Sequence, residues 1–162
     1  LAGAFAAYGP APDAHARHVL VGDTRGMLSY DALNAAFRAL RDGAELLVLQ
    51  GGRWFLEADG PSIDTGAIGA ALAHASGVDP VVLGKPSAEA YGSALAALGA
   101  RPEDAVMVGD DARSDVAGAR AVGLRGVLVR TGKHRPGDED AVEGGPDAVL
   151  GSVAELPALL GL

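Results

Sequence analysis

The sequence of 162 residues contains no cysteine, and only 4% of its residues are aromatic. The lack of cysteine excludes disulfides, thiolate metal sites and cysteine nucleophiles, and it suits a reducing compartment. We therefore expect a cytoplasmic protein. The scarcity of aromatic side chains argues against a stacking surface for single-stranded nucleic acid.

Basic residues are also scarce, because 13 Lys and Arg stand against 21 Asp and Glu, a net charge of −8. Such a chain repels phosphate backbones and acidic membrane surfaces, so we expect neither nucleic acid nor a membrane as partner. No apolar run approaches the roughly 18 residues of a spanning helix, and the N-terminal residues lack the basic start of a signal peptide. The first residue is Leu1 rather than Met, and we expect the chain to be part of a longer protein.

Short aliphatic runs alternate along the chain with helical patterns that end at glycine, which is typical of βα units in an α/β fold. The runs that predict strands cover residues 18–21, 45–50, 53–57, 81–83, 105–108, 126–129 and 148–150. Gly51-Gly52 lies between two of these runs and predicts a hairpin with a two-residue turn. A shift in composition near residues 77–80 predicts a domain boundary.

Helical spacing of apolar residues predicts which side of each helix is buried. Ser29 is expected to cap the first helix, Asp64 to cap the second, and Pro86 to stand in the first turn of the third. The predicted buried faces are Leu33, Ala36, Phe37 and Leu40 in the first helix, Ile68, Ala71, Leu72 and Ala75 in the second, and Ala88, Tyr91, Ala94, Leu95 and Leu98 in the third.

The sequence GDDARSD places Asp110, Asp111 and Asp115 directly after a predicted apolar strand. Open parallel sheets bind ligands beyond the carboxyl ends of their strands. Three carboxylates without a counter-charge repel one another, and a divalent cation resolves that conflict. Mg²⁺ suits such oxygen ligands and often takes only one or two carboxylates together with a substrate phosphate. The alternative is that these residues form a turn and stabilise the positive end of the next helix.

Lys85 follows another predicted strand, and its ammonium group can neutralise a bound phosphate or an anionic nucleophile. The alternative is a solvated lysine. A Walker A motif is excluded, because Asp79 stands where its first glycine would be and Pro86 where it needs a hydroxyl residue. The four histidines lack metal-ligand spacing, and no serine lies in a G-x-S-x-G motif.

Two further segments allow a functional and a structural interpretation. The aromatic pair in Arg53-Trp54-Phe55 can form a substrate wall, but packing on the predicted hairpin is favoured. Residues 131–135, TGKHR, can contact phosphate, but a solvated loop is favoured.

The segments GKPS, around Lys85, and GDDARSD resemble the third and fourth motifs of the haloacid dehalogenase-like (HAD) phosphatases in order and separation. YDALNAAFRAL, RWF, DTGAIGAAL, VMVGDD and VRTGKHR extend the resemblance over nearly the whole chain, to the NagD-like enzymes of subfamily IIA. The resemblance implies a HAD-like Rossmannoid parallel sheet with an α/β cap. Residues 1–77 would form most of the cap, and residues 78–162 the C-terminal half of the core.

The resemblance also implies the chemistry. An aspartate in a D-x-D-G-T-like motif of that family attacks phosphorus and forms an aspartyl-phosphate. Lys85 would steady this nucleophile and the transferring phosphoryl group, and Asp110 would bind Mg²⁺. Asp111 and Asp115 would support the metal through water or hydrogen bonds. The implied substrate is a small phosphorylated metabolite or pyrophosphate, and the implied partner is a second copy bound through the cap.

The sequence departs from that family because it contains no D-x-D-G-T-like segment. Asp23-Thr24-Arg25-Gly26 is only superficially similar, since the second carboxylate is missing. We predict that this chain alone is not a competent phosphatase and that its strand at residues 105–108 has an open edge. A non-catalytic dimerisation or binding module is the alternative. A receiver-like domain is disfavoured, because its acidic pair follows the first strand and its lysine the last.

Overall fold

The computed structural model describes residues 16–26 and 28–162. The strands of that part of the chain are β1 (His18–Val21), β2 (Glu45–Val48), β3 (Trp54–Glu57), β4 (Gly60–Ile63), β5 (Pro80–Val82), β6 (Val106–Gly109), β7 (Arg125–Val129) and β8 (Ala148–Leu150). Its α-helices are α1 (Tyr30–Arg41), α2 (Thr65–Ser76), α3 (Ala88–Leu98), α4 (Gly118–Ala121) and α5 (Leu156–Leu160). None of the described helices is long and apolar enough to cross a membrane.

The first sheet has the order β1-β2-β5, and all its strands are parallel. Leu46 and Val48 of the central strand point into a core formed with α1 and α2, and Leu46 is 0% exposed. The predicted caps are confirmed, because the Ser29 side chain accepts a hydrogen bond from the Ala32 N–H and Asp64 accepts one from Thr65. The sheet therefore presents one covered face to two capped helices.

The hairpin predicted at Gly51-Gly52 is wrong. β2 pairs in parallel with β1 and β5, while β3 pairs in antiparallel register with β4 across a turn at residues 58–59. Gly51 instead lets the segment after β2 pass close to the segment after β5, and its N–H donates to the Lys85 carbonyl oxygen at 2.8 Å. A Cβ at Gly51 would lie 2.9 Å from Cδ of Pro86.

The predicted face of α1 is confirmed: Leu40 is buried, and Leu33, Ala36 and Phe37 pack against the same core. Those of α2 and α3 are only partly right. In α2 Leu72 is buried and Ile68 packs on the core, but the remaining buried positions hold small or polar residues, namely Thr65, Gly69 and Ser76. The residues that were predicted to be buried and are exposed are Ala71 and Ala75 in α2, and Ala88, Ala94 and Leu98 in α3.

The second sheet has the parallel order β6-β7-β8, with β7 in the centre. Among the described residues β6 pairs only with β7, so the expected open edge of this strand is confirmed. A π-helical turn over Ala112–Ala117 follows β6 and leads into α4. Pro86 precedes α3 rather than opening it, because Ser87 is the cap of that helix.

The division into residues 1–77 and 78–162 stays a prediction. The strand pairing adds one refinement, since β5 belongs to the first sheet and the chain changes from one sheet to the other only after Val82. We call the parts that carry the two sheets the first half (described residues up to Val82) and the second half (from Ala88 on).

Candidate functional site

The predicted site residues lie together at the carboxyl ends of the strands of the second sheet. Asp110 and Asp111 follow β6, Asp115 lies in the π-helical turn, and Lys85 reaches them from the segment between β5 and α3. Ligands of parallel sheets bind at such an edge. The structure adds Lys133, which follows β7 and contacts both Asp110 and Asp111.

Lys85 and Asp115 form an ion pair, with 2.6 Å between Nζ and Oδ1. The Asp115 side chain is 6% exposed and that of Lys85 is 47% exposed, so the carboxylate is buried and the ammonium reaches solvent. Asp115 Oδ2 also accepts a hydrogen bond from the Asp111 backbone N–H at 3.1 Å. Gly109 makes room for this carboxylate, because a Cβ at that position would overlap it. The buried charge is thus paired and hydrogen-bonded, as its desolvation requires.

Asp111 holds the start of the π-helical turn. Its Oδ1 accepts hydrogen bonds from the backbone N–H groups of Arg113 and Ser114, each at 3.0 Å, and its Oδ2 lies 2.5 Å from Lys133 Nζ. Burial by itself would raise the pKa of Asp111, but the hydrogen bonds from Lys133 and Ser114 outweigh it and lower the pKa to about 2. Asp111 is therefore ionised at neutral pH.

Asp110 is held by the loop that follows β7. Its Oδ2 accepts a hydrogen bond from the Lys133 backbone N–H at 2.7 Å. Gly132 has a positive φ of 59° and lies against the same carboxylate, so that a side chain at this position would collide with it. Oδ1 of Asp110 accepts no hydrogen bond from the described residues, and it remains able to bind a ligand.

Two cavities between the β3–β4 hairpin and the second sheet border this site. One has a volume of about 310 Å³ and is lined by Trp54, Asp110, Asp111 and Lys133, among others. The other, of about 380 Å³, lies between Phe55 and the same loops and also includes Lys85. Cavities of this size match small ligands.

Tyr91 of α3 contacts the backbone of the π-helical turn. Its hydroxyl group lies within hydrogen-bond distance of the carbonyl oxygens of Ser114 and Asp115, at 3.1 Å from the latter. Burial raises the pKa of Tyr91 to about 12, with further contributions from the charges of Asp115 and Asp111. The phenol thus stays protonated and able to donate.

Lysines of the chain pair with two of the three carboxylates, Lys85 with Asp115 and Lys133 with Asp111. Lys133 was predicted to lie in a solvated loop, and this is wrong, since its side chain is only 16% exposed. The packing interpretation of Trp54 is incomplete, because its ring lies 5.2 Å from Lys133 Nζ and 5.7 Å from the Arg135 guanidinium carbon, and it lines a cavity. The sequence signal that could have identified Lys133 is its position soon after the predicted strand at residues 126–129, which corresponds to β7, the neighbour of β6.

The Asp23 segment lies elsewhere, at the carboxyl end of β1. Arg25 pairs there with Asp23 at 2.5 Å and with Glu57 at 3.1 Å. Asp23 lines neither of the two cavities that border Asp110. The segment lines a neighbouring cavity of about 270 Å³ instead, which shares Phe55 with the second of the two.

The described residues can supply some of the ligands that Mg²⁺ needs, but not a complete set. Among residues 16–26 and 28–162 no group of three or more His, Cys, Asp or Glu side chains could hold a metal ion. Mg²⁺ is often bound by only one or two protein carboxylates, with water and substrate phosphate as its other ligands. The residues present suit a site to which this chain contributes one carboxylate, Asp110.

Comparisons with known proteins give consistent results. Residues 82–156 match the profile of a family described as HAD-hydrolase-like. The chain is 42% identical over 144 residues to phospholysine phosphohistidine inorganic pyrophosphate phosphatase of Xenopus laevis, an alignment that covers 88% of this chain and 53% of that protein. It thus spans about half the length of the curated relatives it matches.

Two solved structures resemble most of the chain. The 4-nitrophenylphosphatase of Thermotoga maritima has a TM-score of 0.81 and 30% identity, with coverage of 96% of this chain and 60% of that one. NagD of Escherichia coli K-12 has a TM-score of 0.72 and 30% identity, with coverage of 86% and 54%.

Proposed function

We propose a function on the premise that this chain belongs to the haloacid dehalogenase-like family, in its NagD-like branch: it supplies the lysine and metal-binding part of a Mg²⁺-dependent phosphatase site. The observation that carries the proposal is the ion pair of Lys85 with the buried Asp115, next to a second carboxylate, Asp110. Asp110 uses Oδ2 for a hydrogen bond within the chain, and its Oδ1 remains able to bind a ligand. A cation and a carboxylate at one cavity suit a phosphate that is bound together with a metal ion.

Each residue has a distinct role in this proposal. Lys85 contacts the phosphoryl oxygens and offsets their charge, and Asp115 fixes the position of its ammonium group. Asp110 holds Mg²⁺, which when bound polarises a phosphoryl group as a Lewis acid. Asp111 ligates nothing itself, because both its oxygens are engaged, and it keeps the turn in shape.

The attacking carboxylate, we propose, comes from residues outside the present sequence, which contains no D-x-D-G segment. The free edge of β6 in the described part of the chain supports this proposal, because a further parallel strand can pair there beside Asp110. The chain by itself would then bind the components of the reaction without turning substrate over.

For the substrate we propose a small phosphorylated metabolite or pyrophosphate. The Xenopus relative is named for phospholysine, phosphohistidine and inorganic pyrophosphate. The two cavities are of a size for such molecules. We propose a cytoplasmic location as well, since a chain without cysteine suits a reducing compartment.

Hydrolysis of p-nitrophenyl phosphate tests the function. The 162-residue chain and a longer chain that also carries a D-x-D-G strand are assayed with and without Mg²⁺. We expect turnover only by the longer chain and only with Mg²⁺, and we expect Asp110→Asn to abolish it. Turnover by the short chain would refute the external nucleophile, and an active Asp110→Asn variant would refute its metal role.

We also propose that two copies of the chain form a homodimer through their first halves. Leu20, Leu47 and Val81 stand next to one another across β1, β2 and β5, on the face opposite the helices. Leu20 is 40% exposed and Val81 is 50% exposed, so this apolar row offers a surface for a second copy. Light scattering should show a dimer that Val81→Lys converts to a monomer, and a wild-type monomer would contradict the proposal.

A non-catalytic binding module is the second candidate. The observation that favours it is the internal charge balance, since Lys85 pairs with Asp115 and Lys133 with Asp111. Thermal unfolding with and without Mg²⁺ separates the candidates, because a ligand that binds only the native state raises the melting temperature. A rise that Asp110→Asn removes favours the phosphatase, and no Mg²⁺-dependent change favours the module.

A further inference from the structure

Lys133 connects the two halves of the molecule at the cavity. Its backbone N–H donates to Asp110 Oδ2 at 2.7 Å, and its ammonium lies 2.5 Å from Asp111 Oδ2. The same ammonium donates to the carbonyl oxygen of Trp54 at 3.1 Å and lies 5.2 Å from the centre of the indole ring. One residue of the second half thus contacts Asp110, Asp111 and a strand of the hairpin.

The burial of this lysine shows that its contacts are specific. Its side chain is 16% exposed, and an ammonium group so far removed from water needs partners for its N–H donors. The Asp111 carboxylate and the Trp54 carbonyl oxygen are two such partners, and the first makes a charge-assisted hydrogen bond. Arg135 also lies over the Trp54 ring, but it is exposed and its guanidinium donates only to carbonyl groups of its own loop.

We propose that Lys133 is a positioning residue that fastens the β3–β4 hairpin to Asp111. The position of the hairpin over the cavity and the orientation of the carboxylates then depend on each other. With respect to catalysis this inference rests on the function proposed above. Lys133 acts there through Asp111 and Trp54 rather than on the phosphoryl group, because two of its three N–H donors are engaged and its side chain is only 16% exposed, whereas that of Lys85 has one such partner and is 47% exposed.

The fluorescence of Trp54 tests the fastening directly, because Trp54 is the single tryptophan of the sequence. Lys133→Met keeps most of the length of the side chain and removes its charge. We expect the quenching constant for acrylamide to rise about twofold or more, since local opening exposes the hairpin to solvent. Arg135→Met is the matched control, and we expect it to change quenching little. Lys133→Arg should restore most of the protection, because a guanidinium can reach a carboxylate and a carbonyl together.

Asp111→Asn is the second variant, in case Lys133→Met fails to fold as judged by circular dichroism. It removes the charge that the lysine binds and keeps an amide oxygen that can cap the turn. We expect it to raise the quenching constant of Trp54 as well. Unchanged quenching in every folded variant of these two positions would overturn the proposal.

Kinetics in the longer, active chain separate a positioning role from direct catalysis. We expect Lys133→Met to raise the KM for p-nitrophenyl phosphate about tenfold and to lower kcat less than about threefold, because the hairpin forms a wall of the cavity. A fall in kcat of about a hundredfold at constant KM would overturn the proposal, because it indicates contact with the reacting group. Should no chain hydrolyse the substrate, the proposed function fails, and the fluorescence still decides whether Lys133 fastens the hairpin.

Discussion

The two three-stranded sheets are both parallel, yet they are stabilised in different ways. In the first sheet the central strand β2 has a neighbour on each side, and two helices of 12 residues cover its buried side chains. In the second sheet β6, which leads into the site, lies at an edge, and all four of its residues are only partly buried. The site residues thus follow the less protected strand.

Polar contacts compensate for this lack of apolar burial around β6. The turn after β6 is held by the Lys85–Asp115 pair, by Lys133 and by the Tyr91 hydroxyl group. The first sheet has a single large apolar cluster around Leu46, whereas the second is flanked by two smaller ones. The comparison teaches that one chain stabilises a scaffold by packing and a site by paired charges.

The largest expected effect comes from truncation of the matched core residues Leu46 and Leu128, each 0% exposed in its sheet. Leu46→Ala and Leu128→Ala should each lower the free energy of unfolding by about 2–5 kcal/mol in urea titrations. Because the two side chains belong to separate clusters, each variant should reduce amide hydrogen-exchange protection mainly in its own sheet. Equal losses in both sheets after either change would show that the two halves unfold as one unit.

A smaller effect is expected where a glycine makes room for the buried carboxylate. Gly109→Ala places a methyl group against Asp115 and should cost about 1–3 kcal/mol in thermal or urea unfolding, as overpacking does. Gly92→Ala is its control, because Gly92 lies in α3 and an added Cβ would meet nothing within 4 Å, so the change should stabilise by roughly 0.5–1 kcal/mol. If Gly109→Ala has the same free energy of unfolding as the wild type, the Lys85–Asp115 pair tolerates a displacement of the carboxylate.

The smallest effect concerns Tyr91 and depends on pH. Tyr91→Phe should cost about 1 kcal/mol at neutral pH, because the hydrogen bond to the turn is lost. The pKa of Tyr91 rises from 10.0 to about 12, so its neutral form is favoured in the folded state. Its contribution is complete below pH 10 and is lost as the pH rises toward 12. Unfolding in urea from pH 7 to 11 should show the gap between wild type and variant closing above pH 10, and a constant gap would contradict this.

Most of the secondary structure could be predicted from the alternation of aliphatic runs and glycine stops. The hairpin could not, because a Gly-Gly pair between two apolar runs looks the same whether it forms a turn or allows a close crossing. The difference lies in the strand pairing: β2, with Leu46 and Val48, pairs in parallel with β1 and β5, and both of these strands are distant from it in the sequence. The exposed residues of α3 have a similar cause, since periodicity shows an apolar face but not whether the described chain covers it.

At the site, the position of Asp110 and Asp111 followed from the rule that ligands of parallel sheets bind beyond the carboxyl ends of the strands. The rule does not account for Lys85, because it follows β5 of the first sheet and reaches Asp115 of the second half from the segment between the two sheets. The roles of these residues remain predictions. Lys133 was misjudged, because it stands in a loop rich in glycine and charge that looks solvated, and this outweighed its position just after a predicted strand. Its partner Asp111 consequently seemed to need a cation from solution, whereas the chain itself supplies one.

Lys85 stands on the segment that joins the last strand of the first sheet to α3 of the second half. This segment, residues 83–87, is the covalent link between the two halves. The ion pair with Asp115, 2.6 Å long, therefore ties the linker itself to the second half. The residue that offsets the buried charge of the site is also the one at which the chain passes from one sheet to the other, so a change in this short linker would alter the charge balance of the site as well as the connection between the sheets.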